Sequence, residues 1–354
     1  MDIKKLEQFL LENRLPKFRL DQIQKAIFTD GVGSFSEITT LSKDLREKME
    51  KELRLLSFDV EKILVAKDGQ SIKALLKLIS GDLIETVLIS PKPGTWSACI
   101  SCQVGCQMGC RFCATGKMGF KRDLTSEEIT DQILFWKQYL KKNSSLLFKN
   151  LKLKIENSNI SVGNIVYMGM GEPFNNWKNV SDSINVLTDE KLFGFGSRSL
   201  SVSTSGIATG IERMANEFPQ VNLAISLHFA SDEKRDRFMP VNKIDNLESL
   251  KKSLKKYFTI TNRKVFLEYI MLDGINDTAL DAKMLADFIY GIGSTHLLHM
   301  NLIRYNMTSE QLRPSSKTRT QIFKTELEKH GVHATIRKSL GDEIQAACGQ
   351  LAGK

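Results

Sequence analysis

The chain has 354 residues and no apolar run long enough to cross a bilayer. Its first residues, Met-Asp-Ile-Lys-Lys-Leu-Glu, lack the apolar core of a secretion leader. Cysteine is nearly absent outside one stretch: five of the six cysteines fall between residues 96 and 120. Such crowding argues against a disulfide framework and for metal or cluster ligation in a reducing compartment. Together these absences predict a cytoplasmic protein with no membrane partner.

What is present suits a large folded body. Hydrophobic residues make up 42% and charged residues 26%. The length allows one large domain with a smaller one, or two domains. A formal net charge of +9 and a pI near 9.1 favour an anionic partner.

The crowded stretch carries Cys99, Cys102, Cys106, Cys110 and Cys113. The last three have the spacing C-x3-C-x2-C. Gly105 and Gly109 allow the loop to fold back so that three sulfurs converge. A structural zinc site is closed by four ligands, whereas three cysteines can hold an iron–sulfur cluster with one iron open. Zinc remains an alternative if Cys99 or Cys102 supplies a fourth ligand.

Helical spacing marks residues 1–53, with Leu6, Phe9 and Leu10 in one stripe and Ser42 capping a helix over 43–53. Lys4, Lys5, Arg14, Lys17, Arg19 and Lys25 make this region basic, as a solvated face or as an RNA-gripping accessory domain. Residues 54–94 read as a small antiparallel sheet, with strands near 63–66, 73–79 and 83–89. A core from 95 to 310 alternates strand-like and helical segments, which predicts a parallel sheet, open or curled into a partial barrel. Residues 141–163 are polar and are expected to form a surface loop or hairpin. A C-terminal segment, 311–354, completes the chain with a helix over 318–331 and a strand over 333–337.

Ligand-bearing groups belong at the carboxyl ends of parallel strands. Gly169-Met170-Gly171-Glu172-Pro173 follows the expected strand at 165–168, with glycines for close backbone approach and a carboxylate to accept from an amino or ribose group. Ser203-Thr204-Ser205-Gly206, Ser226-Leu227-His228 and Asn306 end other strands. A lone histidine is more often structural, but four strand ends closing in small or polar groups are hard to explain as packing. Cys348 lies among small residues, Ala346, Ala347 and Gly349. It reads either as a buried free thiol or as a thiol that must enter a crowded site.

The cysteine loop with its Phe-Cys-Ala-Thr-Gly run, the Gly-Glu-Pro loop and the terminal Ala-Ala-Cys-Gly-Gln-Leu resemble the RlmN and Cfr family of radical S-adenosylmethionine RNA methyltransferases. The resemblance covers nearly the whole chain. It implies a partial (β/α)6 barrel, α/β in class, with an N-terminal helical accessory domain and a small antiparallel sheet. Cys106, Cys110 and Cys113 would hold a 4Fe–4S cluster. Gly171, Glu172, Ser203, Ser226, Leu227, His228 and Asn306 match the contacts to S-adenosylmethionine. Cys348 matches the cysteine that is methylated first, Cys99 the second catalytic cysteine, and Glu85 the proton acceptor. Cys102 departs from the usual serine or threonine.

The implied chemistry consumes two S-adenosylmethionine molecules per turnover. One methylates Cys348, and the other is opened by an electron to a radical that activates this methyl group. The carbon adds to adenine, a base removes the ring proton, and Cys99 attacks the Cys348 sulfur to release product and leave a disulfide. The implied partners are 23S rRNA, tRNA and a flavodoxin-type reductase, with the protein a monomer. The adenine must be unpaired or extruded to be reached. Lys117, Lys121, Arg122, Arg198 and Arg304 are candidate phosphate contacts. The Gly-Glu-Pro and Ser-Thr-Ser-Gly sequences resemble RlmN, which methylates C2. Ile303-Arg304-Tyr305-Asn306 resembles Cfr, which methylates C8. The expectation is C2.

Overall fold

A computed structural model describes residues 1–92, 94–150 and 160–353. After N-terminal helices at Ile3–Glu12, Phe18–Gln24 and Lys43–Glu52, the chain enters an antiparallel run. Its strands are β1 (Phe58–Val65), β2 (Ser71–Leu78), β3 (Leu83–Lys92) and β4 (Thr95–Cys99). A hairpin follows, β5 (Gln103–Gly105) with β6 (Phe120–Asp123). Then come β7 (Val162–Tyr167), β8 (Leu200–Thr204), β9 (Asn222–Ser226), β10 (Val265–Met271), β11 (Leu298–Arg304) and β12 (Ala334–Arg337).

One sheet runs in the order β1-β2-β3-β4-β7-β8-β9-β10-β11-β12. Strands β1 to β4 pair antiparallel, and every pairing from β4 to β12 is parallel. The antiparallel strands are therefore continuous with the parallel ones through β4, a strand hidden within the cysteine-rich stretch. Helices separate the parallel strands, as βαβ connections require. Strands β4 and β7 to β11 supply the six-strand succession expected, and β12 adds a further parallel strand.

Burial follows position. In β9, Leu223, Ala224 and Ile225 are all buried, as in a parallel strand covered on both faces. Edge strand β1 is mostly exposed. The helix Trp177–Thr188 buries Val180, Ile184 and Leu187, spaced along one face. The helix Ser126–Asn150 places Trp136 wholly inside, where its Nε1 donates to Thr86 Oγ1 at 3.0 Å. Thr86 Oγ1 in turn donates to the Cys99 carbonyl at 2.8 Å. Core packing thus fixes the end of β4.

The expectation of a loop or hairpin at 141–163 needs correction, because this helix continues through residue 150. Lys-Lys-Asn-Ser-Ser contains no proline or glycine to stop it. Asn143 Nδ2 donates back to the Tyr139 carbonyl at 2.8 Å, and Leu147 is buried. Lys141 Nζ donates to the Asp30 carbonyl at 2.6 Å, so the polar residues tie the helix to the N-terminal region. Residues 151–159 of that expectation lie outside the described residues.

Candidate active site

The three cysteines of the C-x3-C-x2-C motif occupy the loop of the β5–β6 hairpin. Gly105 has φ +76°, and a Cβ there would lie 1.9 Å from the Gly119 carbonyl oxygen, so only glycine closes the loop. Cys106 N donates to that same oxygen at 2.9 Å, and Cys113 N to the Cys110 carbonyl at 3.1 Å. Burial pushes the Cys106 thiol up to about 12 and raises Cys110 further. Each of these thiols also feels Cys113. Thiols that resist ionisation alone suit a cationic iron–sulfur group that takes the place of their protons. Among the described residues, no three His, Cys, Asp or Glu side chains converge as around one metal ion. Cys102 is buried in the main core, its thiol raised chiefly by burial.

The loop after β7 folds onto β5. Gly171 has φ +107°, and a Cβ there would meet Gln103 Cβ at 2.6 Å. Glu172 is buried, and burial raises its carboxyl above the ordinary value. Its Oε1 accepts from Phe174 N at 3.2 Å and its Oε2 from Ser205 N at 2.7 Å. These bonds lock the β7 end to the β8 end, and they already engage both carboxylate oxygens expected to meet a ligand.

His228 follows β9 with φ +57°, in the left-handed region. Its Nδ1 accepts from Ile270 N at 3.2 Å. Burial, with Arg235 nearby, pulls it down to about 3, so the ring is neutral. It packs edge-on against Phe112, between Cys110 and Cys113. Ser203 and Ser226 are half-buried on β8 and β9, and Leu227 is fully buried. Asn306, just past β11, donates from Nδ2 to the Cys348 carbonyl at 3.2 Å and accepts from Ser339 Oγ at 2.6 Å.

Cys99 and Cys348 lie near enough for the charge of Cys348 to bear on Cys99. Burial raises the Cys99 thiol first, and the neighbouring Cys348 thiolate raises it further. Cys348 also feels Cys113, the third cysteine of the loop. Cys348 is an exposed residue rather than part of the core, although the protein around it raises its thiol. Arg337 pulls both thiols the other way. The C-terminal segment docks directly on the cysteine loop: Ala114 N donates to the Gly349 carbonyl at 2.7 Å and Thr115 Oγ1 to the Leu351 carbonyl at 2.6 Å.

Glu85 is buried on β3, 1% exposed. Lys73 Nζ donates to its Oε1 at 2.7 Å. Of the candidate phosphate contacts, Arg122 is committed elsewhere. It bonds Asp82 at 2.9 Å and grips Glu128 with two nitrogens at 2.8 Å, which makes it part of the helix start. Lys121 is exposed and pairs with Asp82. Lys117 donates to the Thr308 carbonyl at 2.8 Å, Arg198 bonds Gln220 at 3.1 Å, and Arg304 is exposed.

Sequence reading missed two buried ionic groups. Arg235 has no exposed surface and donates to the carbonyls of Ser205, at 3.0 Å, and Leu227, binding the ends of β8 and β9 together. It lies in the charged run Asp-Glu-Lys-Arg-Asp-Arg, which looks solvated. Glu268 on β10 is buried beside Asn301, whose Nδ2 donates at 2.9 Å, and faces Arg337 at 3.7 Å. No local pattern marks either.

The Radical SAM superfamily model matches residues 100–285, and that of the Ribosomal RNA large subunit methyltransferase N-terminal domain matches residues 1–55. A Clostridium botulinum (strain Okra / Type B1) protein named Ribosomal RNA large subunit methyltransferase Cfr is 40% identical over 349 residues, 98% of this chain and 96% of its own. A Streptococcus suis (strain 98HAH33) protein named Probable dual-specificity RNA methyltransferase RlmN is 41% identical, covering 98% and 90%. This chain belongs to the RlmN/Cfr family of radical S-adenosylmethionine methyltransferases. A crystal structure of a radical SAM methyltransferase from Sphaerobacter thermophilus superposes on this family member with a TM-score of 0.90 at 34% identity. The match covers 100% of this chain and 98% of the other. The radical SAM fold is thereby shown, and RlmN/Cfr membership implies S-adenosylmethionine and a 4Fe–4S cluster as cofactors.

Proposed function

We propose that this enzyme methylates C2 of an adenosine in RNA: the adenosine of the 23S rRNA peptidyl-transferase centre and the adenosine 3′ of some tRNA anticodons. The observation that carries the reading is the docking of the Cys348 segment on the cysteine loop, with Cys99 within reach of the Cys348 charge. A structural metal site could take one further thiol as its fourth ligand, but not two. Both have a use in a reaction that loads a carbon on one sulfur and frees it with the other.

Cys106, Cys110 and Cys113 would hold the cluster, which supplies the electron that opens S-adenosylmethionine. Gly171, Glu172, Ser203, Ser226, Leu227, His228 and Asn306 would line the cofactor, with two molecules used per turnover. Glu172 engages both oxygens with backbone amides, so its part is to set the loop as well as to meet a ligand. Neutral His228 offers a hydrogen bond without adding a second cation.

Cys348 thiolate takes the methyl group, and its carbon joins the adenine as a methylene, one hydrogen having passed to the radical that the second S-adenosylmethionine would supply. Glu85 accepts the ring proton. Once the adduct has given up its unpaired electron, which the cluster would take back, Cys99 thiolate attacks the Cys348 sulfur: the S–S bond forms, the sulfur–carbon bond breaks, and the freed carbon takes a proton and leaves as the methyl group of the product. Two electrons from a flavodoxin-type reductase reopen the disulfide. The basic helices of residues 1–53 would grip RNA phosphates, next to a sheet region at 54–94, a core at 95–310 and a carrier segment at 311–354. The enzyme works in the cytoplasm as a monomer.

A second reading, C8 methylation, draws on Ile303-Arg304-Tyr305-Asn306. That segment touches the cysteine loop, since Tyr305 bonds Thr308, whose Oγ1 donates to the Phe112 carbonyl at 3.0 Å. The test is anaerobic reconstitution with S-adenosylmethionine, a reductant and an adenosine-containing RNA fragment, followed by nucleoside mass spectrometry. We expect 2-methyladenosine. Detecting 8-methyladenosine alone reverses the regiochemistry. Unmodified adenosine from protein that holds stoichiometric zinc and no sulfide overturns the reading.

A further inference from the structure

Lys73 lies on β2 and is 5% exposed. A lysine this deep is rare unless its charge is met. Its ammonium donates to Glu85 Oε1 at 2.7 Å and to the Gln345 carbonyl at 3.2 Å. The other oxygen of Glu85 accepts from Ala352 N at 2.7 Å and Gly353 N at 3.2 Å. One buried ion pair thus holds both ends of residues 345–353, and Cys348 hangs between them.

The geometry at Gln345 shows that this hold is not incidental. Gln345 is a non-glycine residue at φ +52°, a conformation that costs free energy and persists only where neighbours fix it. Its carbonyl is the group that Lys73 takes. Ala114 and Thr115 of the cysteine loop hold the same segment by bonds to the carbonyls of Gly349 and Leu351. The segment is therefore held by both the ion pair and the loop.

We propose that Lys73 is a positioning residue: paired with Glu85, it clasps residues 345–353 and presents Cys348 to the cysteine loop. The clasp rests on the reading of Cys348 as methyl carrier and Glu85 as proton acceptor, and it adds a constraint. Glu85 cannot take a substrate proton on Oε2 while that oxygen holds two tail amides. Deprotonation through Oε2 therefore requires the tail to lift after Cys348 is loaded, whereas Oε1, bonded to Lys73, keeps a free lone pair. Lys73 couples the two events, because it bonds the carboxylate and the tail at once.

The test is amide hydrogen exchange on the purified full chain, wild type against Lys73→Met and Lys73→Arg. Losing a bond to a charged group should speed exchange of residues 345–353 about 10- to 100-fold in Lys73→Met, with strands β10 and β11 unchanged. Lys73→Arg should stay within about threefold of wild type, since it keeps a cation for both partners. Wild-type exchange of the tail in Lys73→Met overturns the proposal, as does equal loosening in Lys73→Arg. If Lys73→Met does not fold, Glu85→Gln serves: it keeps an oxygen but drops the charge, and its tail should exchange faster, with wild-type protection overturning the clasp. In the reconstituted enzyme, kcat of Lys73→Met should fall about tenfold with the KM for RNA unchanged. Because exchange needs no turnover, it separates failure of the clasp from failure of the methylation reading.

Discussion

The ring of Phe112 meets the ring of His228 edge-on, with centroids 4.9 Å apart and planes at 86°. This contact joins the cysteine loop to the end of β9. It lies in a small apolar cluster of its own, with Phe229, Phe238, Met239, Leu272 and Tyr305. The loop is therefore packed against the strand ends it faces. Phe112→Ala should destabilise this cluster by about 3 kcal/mol and loosen the loop. Iron and sulfide retained after anaerobic gel filtration should fall well below wild type, while Phe112→Leu keeps most of both. Wild-type retention in Phe112→Ala would show that the loop needs no such packing.

Two glycines of the hairpin separate space from backbone conformation. Gly105 and Gly119 have φ of +76° and +74°, but a Cβ at Gly119 meets nothing within 4 Å, whereas one at Gly105 strikes the Gly119 carbonyl. Gly119→Ala should cost about 1 kcal/mol, the penalty of a left-handed alanine. Gly105→Ala adds a steric clash and should abolish cluster binding. Reconstituted iron content of the two variants, measured side by side, checks this order.

Arg235 serves as a buried strut. Its guanidinium bonds Ser205, Leu227 and the Asn242 side chain, the last at 2.9 Å. Arg235→Met leaves these acceptors without a donor and should cost about 3 to 5 kcal/mol. Arg235→Lys should recover little, because an ammonium cannot span the same fork. Urea midpoints of the apoproteins measure both.

His228 gives a pH signature of stability. Its folded value is about 3 and its ordinary value 6.5. The unfolded chain binds the proton first as pH falls, so the contribution is complete above about pH 6.5 and drains away down to about pH 3. The limiting slope is about 1.4 kcal/mol per pH unit. His228→Asn, which tolerates the left-handed backbone, should flatten this part of the stability curve. Urea titrations between about pH 7 and pH 4 compare the two slopes.

Much of this architecture is legible from local pattern. The C-x3-C-x2-C spacing and Gly105 mark a folded-back loop. Gly171, Ser203, Ser226 and Asn306 follow strand runs, which places them at one end of the sheet. Other features depend on partners far away in sequence. Nothing in the local pattern of β3 shows that Lys73 and the amides of Ala352 and Gly353 close on Glu85. Arg235 hides in a charge run that looks wet. Strand β4 hides because Trp96–Cys99 is too short for its alternation to stand out beside the cysteines. The helix through residue 150 was masked by polar residues that form its outer face and its bonds to the N-terminal region.

The division of labour among the sulfurs admits one direct measurement. Reconstituted enzyme is incubated anaerobically with S-adenosylmethionine labelled in its methyl group, digested, and mapped by peptide mass spectrometry. The account predicts one labelled methyl on Cys348, lost to RNA on turnover and replaced by a Cys99–Cys348 disulfide when the reductant is withheld afterwards. Product formation with no label ever passing through Cys348, or a disulfide that joins any other pair, would contradict it.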